Sequence, residues 1–173
     1  QMEGLKELLR TMGRLGIGVM GYNFSLVNVW GRVTSDRSRG GARSSAYVEA
    51  EAPEDTEIPL GNVWNSVFDP DAPEGTLGPV SEEIMWERFE RFLKDLVPVA
   101  EEAGVRLAMH PADPPLATMR GTYRLVHKPE QYQRLLDLVP SPCNCAELCQ
   151  GTVAEMDGDM DVYEAIATYA AQG

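Results

Sequence analysis

Apolar residues recur at three-and-four spacing through Leu5, Leu8, Leu9, Met12 and Leu15, which lines them up on one face and predicts an opening helix that stops at Gly16. The run 17–24 is short and apolar, with Ile17 and Val19 alternating against Gly18 and Met20, and reads as a strand. Ser81 is placed to cap a second helix, with Glu82 and Glu83 in its first turn where the helix dipole favours negative charge. Trp86, Phe89, Leu93, Leu96, Val97 and Ala100 form its apolar face, and Gly104 ends it. A strand over 105–110 follows. A third helix begins near Pro129 and buries Tyr132, Leu135, Leu136 and Val139; a strand over 144–149 comes next, then a helix starting near Asp159 that carries Val162, Ile166 and Tyr169.

Helices alternating with strands imply parallel strands covered by helices, because parallel neighbours need a crossover connection. Three strands and four helices make part of a barrel or of an open parallel sheet. Between them, 31–79 shows no sustained period and is rich in Gly, Pro, Ser and acidic residues. It is expected to be a long loop, insertion or lid within a single domain spanning 1–173. Arg32, Arg37, Arg39 and Arg43 surround Gly40 and Gly41 there, either as part of a solvated loop or as a clamp for a carboxylate.

The strand period of two assigns side chains to faces. Val105, Leu107 and Met109 face helices, while Arg106, Ala108 and His110 share the other side. Later, Ala146 and Leu148 face helices and Cys145, Glu147 and Cys149 point the opposite way. Each strand therefore ends on a reactive side chain, His110 or Cys149, at the C-terminal end where barrel enzymes place their chemistry. A lone histidine is more often structural, and a buried cysteine is mostly an inert hydrophobe. As a pair, imidazole and thiolate suit a borderline divalent transition metal. Glu147 reads as an ion-pair partner of Arg106 or as an acid or base. Cys143 and Cys145 are expected to be structural and His127 to face solvent. Trp30 and Trp64 either pack the loop or wall a sugar pocket.

Composition narrows the partners. With 173 residues, 43% hydrophobic and 24% charged, the chain is an ordinary globular domain, shorter than the roughly 250 residues of a complete eight-stranded barrel. A formal net charge of -12 argues against nucleic acid. No apolar run reaches the roughly 20 residues of a membrane span, so a cytoplasmic location is expected. Three clustered cysteines and two histidines suit neither a disulfide framework nor a structural zinc site.

Four stretches carry a family resemblance: Gly21-Tyr22-Asn23-Phe24, Arg39-Gly40-Gly41-Ala42, the run from Leu107 through His110-Pro111-Ala112-Asp113 to Pro115, and the run from Glu147 through Cys149-Gln150-Gly151-Thr152 to Met156. They lie in the order found in mannonate dehydratases, and the chain resembles that family over its whole length. The resemblance implies an α/β fold of the (β/α) TIM-barrel type, here a partial barrel with a long inserted loop. It also implies manganese or ferrous iron, dehydration of the sugar acid D-mannonate to 2-keto-3-deoxy-D-gluconate in hexuronate catabolism, and a homo-oligomer. His110 and Cys149 match metal ligands of the family. Tyr22, Asn23, Arg39, Asp113 and Arg120 are the candidates for substrate contact, with Tyr123 nearby, and the acid and base are not assigned. The remaining ligands and the first strands of the barrel are expected outside 1–173, so the chain reads as partial-length. The competing expectations are a sugar or sugar-phosphate isomerase or epimerase on the same barrel, and an inactive partial barrel that self-associates.

Overall fold

The structure, a computed structural model, describes residues 1–27, 30–63 and 67–171. In chain order its elements are α1 (Met2–Arg14), β1 (Val19–Tyr22), β2 (Arg32–Ser35), β3 (Ser44–Tyr47), β4 (Asn62–Val63), β5 (Val67–Phe68), α2 (Glu82–Ala103), β6 (Arg106–Met109), β7 (Thr118–Met119), β8 (Thr122–Tyr123), α3 (Gln131–Leu138), β9 (Asn144–Ala146), α4 (Gln150–Ala154) and α5 (Val162–Ala170). They fall into two compact units. The first comprises Gln1–Phe24, Ser81–Ala117 and Arg124–Gly173; the second comprises Ser25–Val80 and Thr118–Tyr123.

The first unit is built on a three-stranded parallel sheet in the order β1-β6-β9. Crossovers between parallel strands need length, and α2 and α3 supply it. α2 is 22 residues long because its ends are specified: the Ser81 side chain accepts from the Ile84 amide, and Gly104 closes the helix with φ 67. Met85, Trp86, Phe89, Leu93, Leu96, Val97 and Ala100 are all buried along one side, while Pro98 inside the helix faces solvent. α1 packs on α2 closely enough that a Cβ at Gly13 would lie 2.4 Å from the Ala103 carbonyl oxygen. Of the five apolar residues that predicted α1, Leu9 is fully buried, whereas Leu8 and Leu15 are exposed.

Register confirms the faces. Gly21, Ala108 and Cys145 are partners across the sheet, as are Tyr22, Met109 and Ala146. Tyr22 and Phe24 both pack their rings, tilted, against Phe89 and Phe92 of α2, so the Tyr22 side of the sheet is the helix-covered one. On that same side the Asn144 amide donates to the Leu135 and Val139 carbonyls and ties β9 to the end of α3. A cavity of about 420 Å³ runs beside β9, lined by Leu136, Asp137, Asn144, Ala146, Leu148 and Tyr169 among others.

The second unit replaces the structureless insertion expected over 31–79. It contains two antiparallel hairpins, β2 with β3 and β4 with β5. A third, β7 with β8, is contributed from the later chain and turns through Arg120 and Gly121, both at positive φ, the backbone sign of a type I′ turn. Val27, Ile58, Val80 and Met119 are its buried apolar residues. Arg120 is only 4% exposed. Its guanidinium donates to the Thr56 carbonyl at 2.9 Å and the Glu57 carbonyl at 3.0 Å, and sits 4.0 Å over the Trp30 ring. Its backbone amide donates to the Asp55 carboxylate.

Candidate metal centre

His110 follows directly on β6, and Cys149 lies three residues past the end of β9, the hydrogen-bonded neighbour of β6. The His110 amide donates to the Tyr22 carbonyl at 2.8 Å, continuing the ladder from β1, and the Glu147 amide does the same to Met109 at 2.9 Å. Below Cys149 the Glu147 carbonyl accepts from the Cys149 amide at 2.9 Å and from the buried Tyr132 hydroxyl at 3.3 Å, which fixes the strand end. The imidazole and thiol lie close enough that each shifts the protonation of the other.

The electrostatics follow from that geometry. Partial burial works against a charged imidazole at His110, yet the Pro111 carbonyl, the Cys149 sulfur and the Glu147 carboxylate together hold its pKa above the ordinary value. Burial likewise opposes a thiolate at Cys149. There the Thr152 side chain and amide and the His110 ring outweigh it and lower the pKa. The Thr152 hydroxyl donates to Cys149 Sγ at 3.2 Å. Cys143 and Cys145 differ, with burial pushing both thiols up.

His110 Nδ1 is held to the Pro111 carbonyl at 2.8 Å, so the ring's donor atom for a ligand is Nε2. Glu147 belongs to the same face: a Cβ on Gly21 would meet its Oε2 at 2.9 Å. Among the described residues it makes no ion pair with Arg106, because the carboxylate leans over β1 instead. Nor do three or more His, Cys, Asp or Glu side chains converge among the described residues as a metal cage. His110 and Cys149 are two donors, not a complete set.

The other sequence candidates divide between the units. Tyr22 lies on the helix-covered side against Phe89 and Phe92, opposite the face of Glu147, because strand alternation turns it away. Asn23 follows β1, and Asp113 is exposed in the turn after His110 with its carbonyl accepting from Arg124 Nη2 at 3.0 Å. Arg39 and Arg120 belong to the second unit, Arg39 exposed on the 3-10 turn Arg39–Gly41 and Arg120 buried on backbone carbonyls. Trp64 lies outside the described residues. His127, expected to face solvent, is instead 5% exposed: its Nδ1 bonds the Arg124 carbonyl at 2.9 Å and its amide donates to the Gln131 side chain at 3.0 Å. Thr152 was not singled out from the sequence. Its position three after a helix-capping residue is the spacing that brings a side chain back to the cap.

Comparison with known proteins bears on all of this. The family model described as D-mannonate dehydratase (UxuA) matches residues 1–172. Mannonate dehydratase 2 of Halalkalibacterium halodurans is 30% identical, covering 99% of this chain and 51% of its own length. Mannonate dehydratase of Lactococcus lactis subsp. cremoris is 31% identical, covering 97% of this chain and 50% of its own. The crystal structure of mannonate dehydratase from Streptococcus suis serotype 2 superposes with a TM-score of 0.76 at 29% identity, covering 98% of this chain and 45% of that one. The chain thus spans about half the length of the curated relatives it matches. Parallel strands alternating with helices, the order of the motifs and the family match agree, and the chain belongs to the D-mannonate dehydratase (UxuA) family.

Proposed function

We propose that the protein carrying this chain dehydrates D-mannonate to 2-keto-3-deoxy-D-gluconate within hexuronate breakdown, using manganese or ferrous iron held in part by His110 and Cys149. The observation that carries this reading is that an imidazole and a thiol with a lowered pKa, held by the Pro111 carbonyl and the Thr152 hydroxyl, follow two neighbouring parallel strands. The donor set fits such an ion: an imidazole with Nδ1 already engaged and a sulfur biased toward thiolate suit a borderline divalent cation.

When bound, the cation would supply Lewis acidity to the substrate carboxylate and C2 hydroxyl. This chain's residues hold the donors still: the Pro111 carbonyl sets the ring of His110, and Thr152 steadies the sulfur of Cys149. Glu147, on the same face, presents a carboxylate that can accept a sugar hydroxyl. The finer fold reading is a complete (β/α)₈ barrel, with the remaining ligands on strands that pair beyond β9, in a cytoplasmic homo-oligomer. Among the described residues no helix is long and apolar enough to cross a membrane.

The test is keto-acid formation from D-mannonate by the full-length protein with added manganese or iron. Turnover of neutral or phosphorylated ketoses without loss of water from D-mannonate would transfer the site to an isomerase or epimerase. Inertness toward both, with a metal-free assembly in solution, would leave a self-associating scaffold.

A further inference from the structure

His110 is a ring on a strand end, and what fixes its rotation lies one layer out. Its Nδ1 bonds the Pro111 carbonyl at 2.8 Å. That carbonyl shares a planar peptide group with the Ala112 amide, and the Ala112 amide donates to the Val126 carbonyl at 3.0 Å. The Val126 carbonyl, one peptide plane and the imidazole thus form a single line of hydrogen bonds, in which each bond polarises the next. Two residues beyond Pro111, the Asp113 carbonyl accepts from Arg124 Nη2 at 3.0 Å, so the turn is gripped at both Ala112 and Asp113.

The gripping segment is itself over-determined. Arg124, Leu125, Val126 and His127 are each no more than 5% exposed. The Arg124 amide donates to the Ala117 carbonyl at 2.9 Å, and the His127 ring closes the segment back on the Arg124 carbonyl at 2.9 Å. Val126 has φ 55, a left-handed conformation that β-branched residues avoid and that persists only where surroundings impose it. Strain of this kind, buried beside a ligand-bearing turn, has a use if it aims the Val126 carbonyl at the Ala112 amide.

We propose that the buried segment 124–127 is a positioning device for the metal ligand His110, with Arg124 as its positioning residue and the Val126 carbonyl acting through the Pro111–Ala112 peptide. The inference rests on the metal reading above. In the full-length protein Arg124→Met should weaken cobalt(II) binding about tenfold, the order seen when groups outside the ligand shell are removed, while Arg124→Lys recovers part of that loss. Val126→Gly, which keeps the left-handed backbone accessible, should lower thermal stability yet leave cobalt(II) affinity within about threefold of wild type. Nitrogen NMR of the wild-type, metal-free protein at alkaline pH should show His110 as the Nδ1-protonated tautomer, a readout that needs no variant to fold.

An Nε2-protonated His110, or a folded Arg124→Met protein that binds cobalt(II) as tightly as wild type, overturns the inference while the metal reading stands. A wild-type protein that takes up no cobalt(II), manganese or iron removes the metal reading and this inference with it.

Discussion

Arg120 separates two roles that the sequence alone leaves open. As a substrate contact it would change KM and leave folding untouched; as placed, its side chain is spent inside the second unit. Truncation in Arg120→Ala removes the guanidinium's hydrogen bonds to the Thr56 and Glu57 carbonyls, each a bond from a charged donor worth about 1.5–3 kcal/mol before water replaces it. It also removes the stack on Trp30, worth about 0.5–2 kcal/mol. These terms overlap, since water can re-enter the space and neighbouring losses are not additive. A net loss of about 3 kcal/mol is expected, large for a single substitution. Arg120 also sits at φ 52, where any residue with a Cβ is strained by roughly 1–2 kcal/mol. Arg120→Gly should therefore be milder than Arg120→Ala by about 1 kcal/mol, although both lose the same hydrogen bonds. Lysine cannot form the guanidinium fork, so Arg120→Lys should recover less than half. Urea unfolding followed by tryptophan fluorescence, with limited proteolysis across 55–57, measures all three. An Arg120→Ala protein within about 1 kcal/mol of wild type, or equal losses for the alanine and glycine variants, would refute the reasoning.

Further outcomes follow from the same geometry. Gly13→Ala should destabilise by about 1–3 kcal/mol despite its better helix propensity, because the Ala103 carbonyl occupies the new methyl's place; Gly4→Ala, with nothing within 4 Å, should stabilise by about 0.5–1 kcal/mol, both by thermal melts. Alkylation by iodoacetamide across a pH series should label Cys149 at lower pH than Cys143 or Cys145, since its pKa is lowered and theirs are raised. In His110→Ala that advantage should shrink, because the His110 contribution to the lowering is gone; an unchanged profile would count against the imidazole–thiol contact. Cys149→Ser should lower metal affinity at least about tenfold with little change in melting temperature, read by calorimetry with manganese.

Much of the first unit was legible because its signals are long or local. Ser81, Glu82, Glu83 and Gly104 bracket α2, and the alternation through Ala108 and Cys145 put those two on one face, as the register has them. The second unit was illegible for the opposite reason. Its strands are two to four residues long, too short for a period to show. Its anchor is a guanidinium 64 residues away from the Thr56 carbonyl it holds, and nothing local to 55–57 announces such a contact. His127 was misplaced because a left-handed Val126 turns 124–127 inward, a conformation that valine does not advertise. The strand expected over 144–149 ends at Ala146, and the five-residue α4 that follows Cys149 is too short to show a helical period, so the contact of Thr152 with Cys149 was not legible. The partnership of Glu147 with Arg106 was a guess from face alone; register could not show that Gly21 leaves room for the carboxylate to lean the other way.

Among the described residues the β1-β6-β9 sheet has an unpaired edge on each side, at β1 and at β9, with exposed Ile17 and Val19 beside one and a groove of mixed polar and apolar lining beside the other. Parallel edges of this kind are adhesive, since their free amides and carbonyls will accept any extended chain. In a cell, whatever length of polypeptide is present, the interval during which those edges stay uncovered is when chaperones and proteases compete for it. The solubility of this stretch is therefore a matter of timing, set by how quickly each edge finds its neighbour.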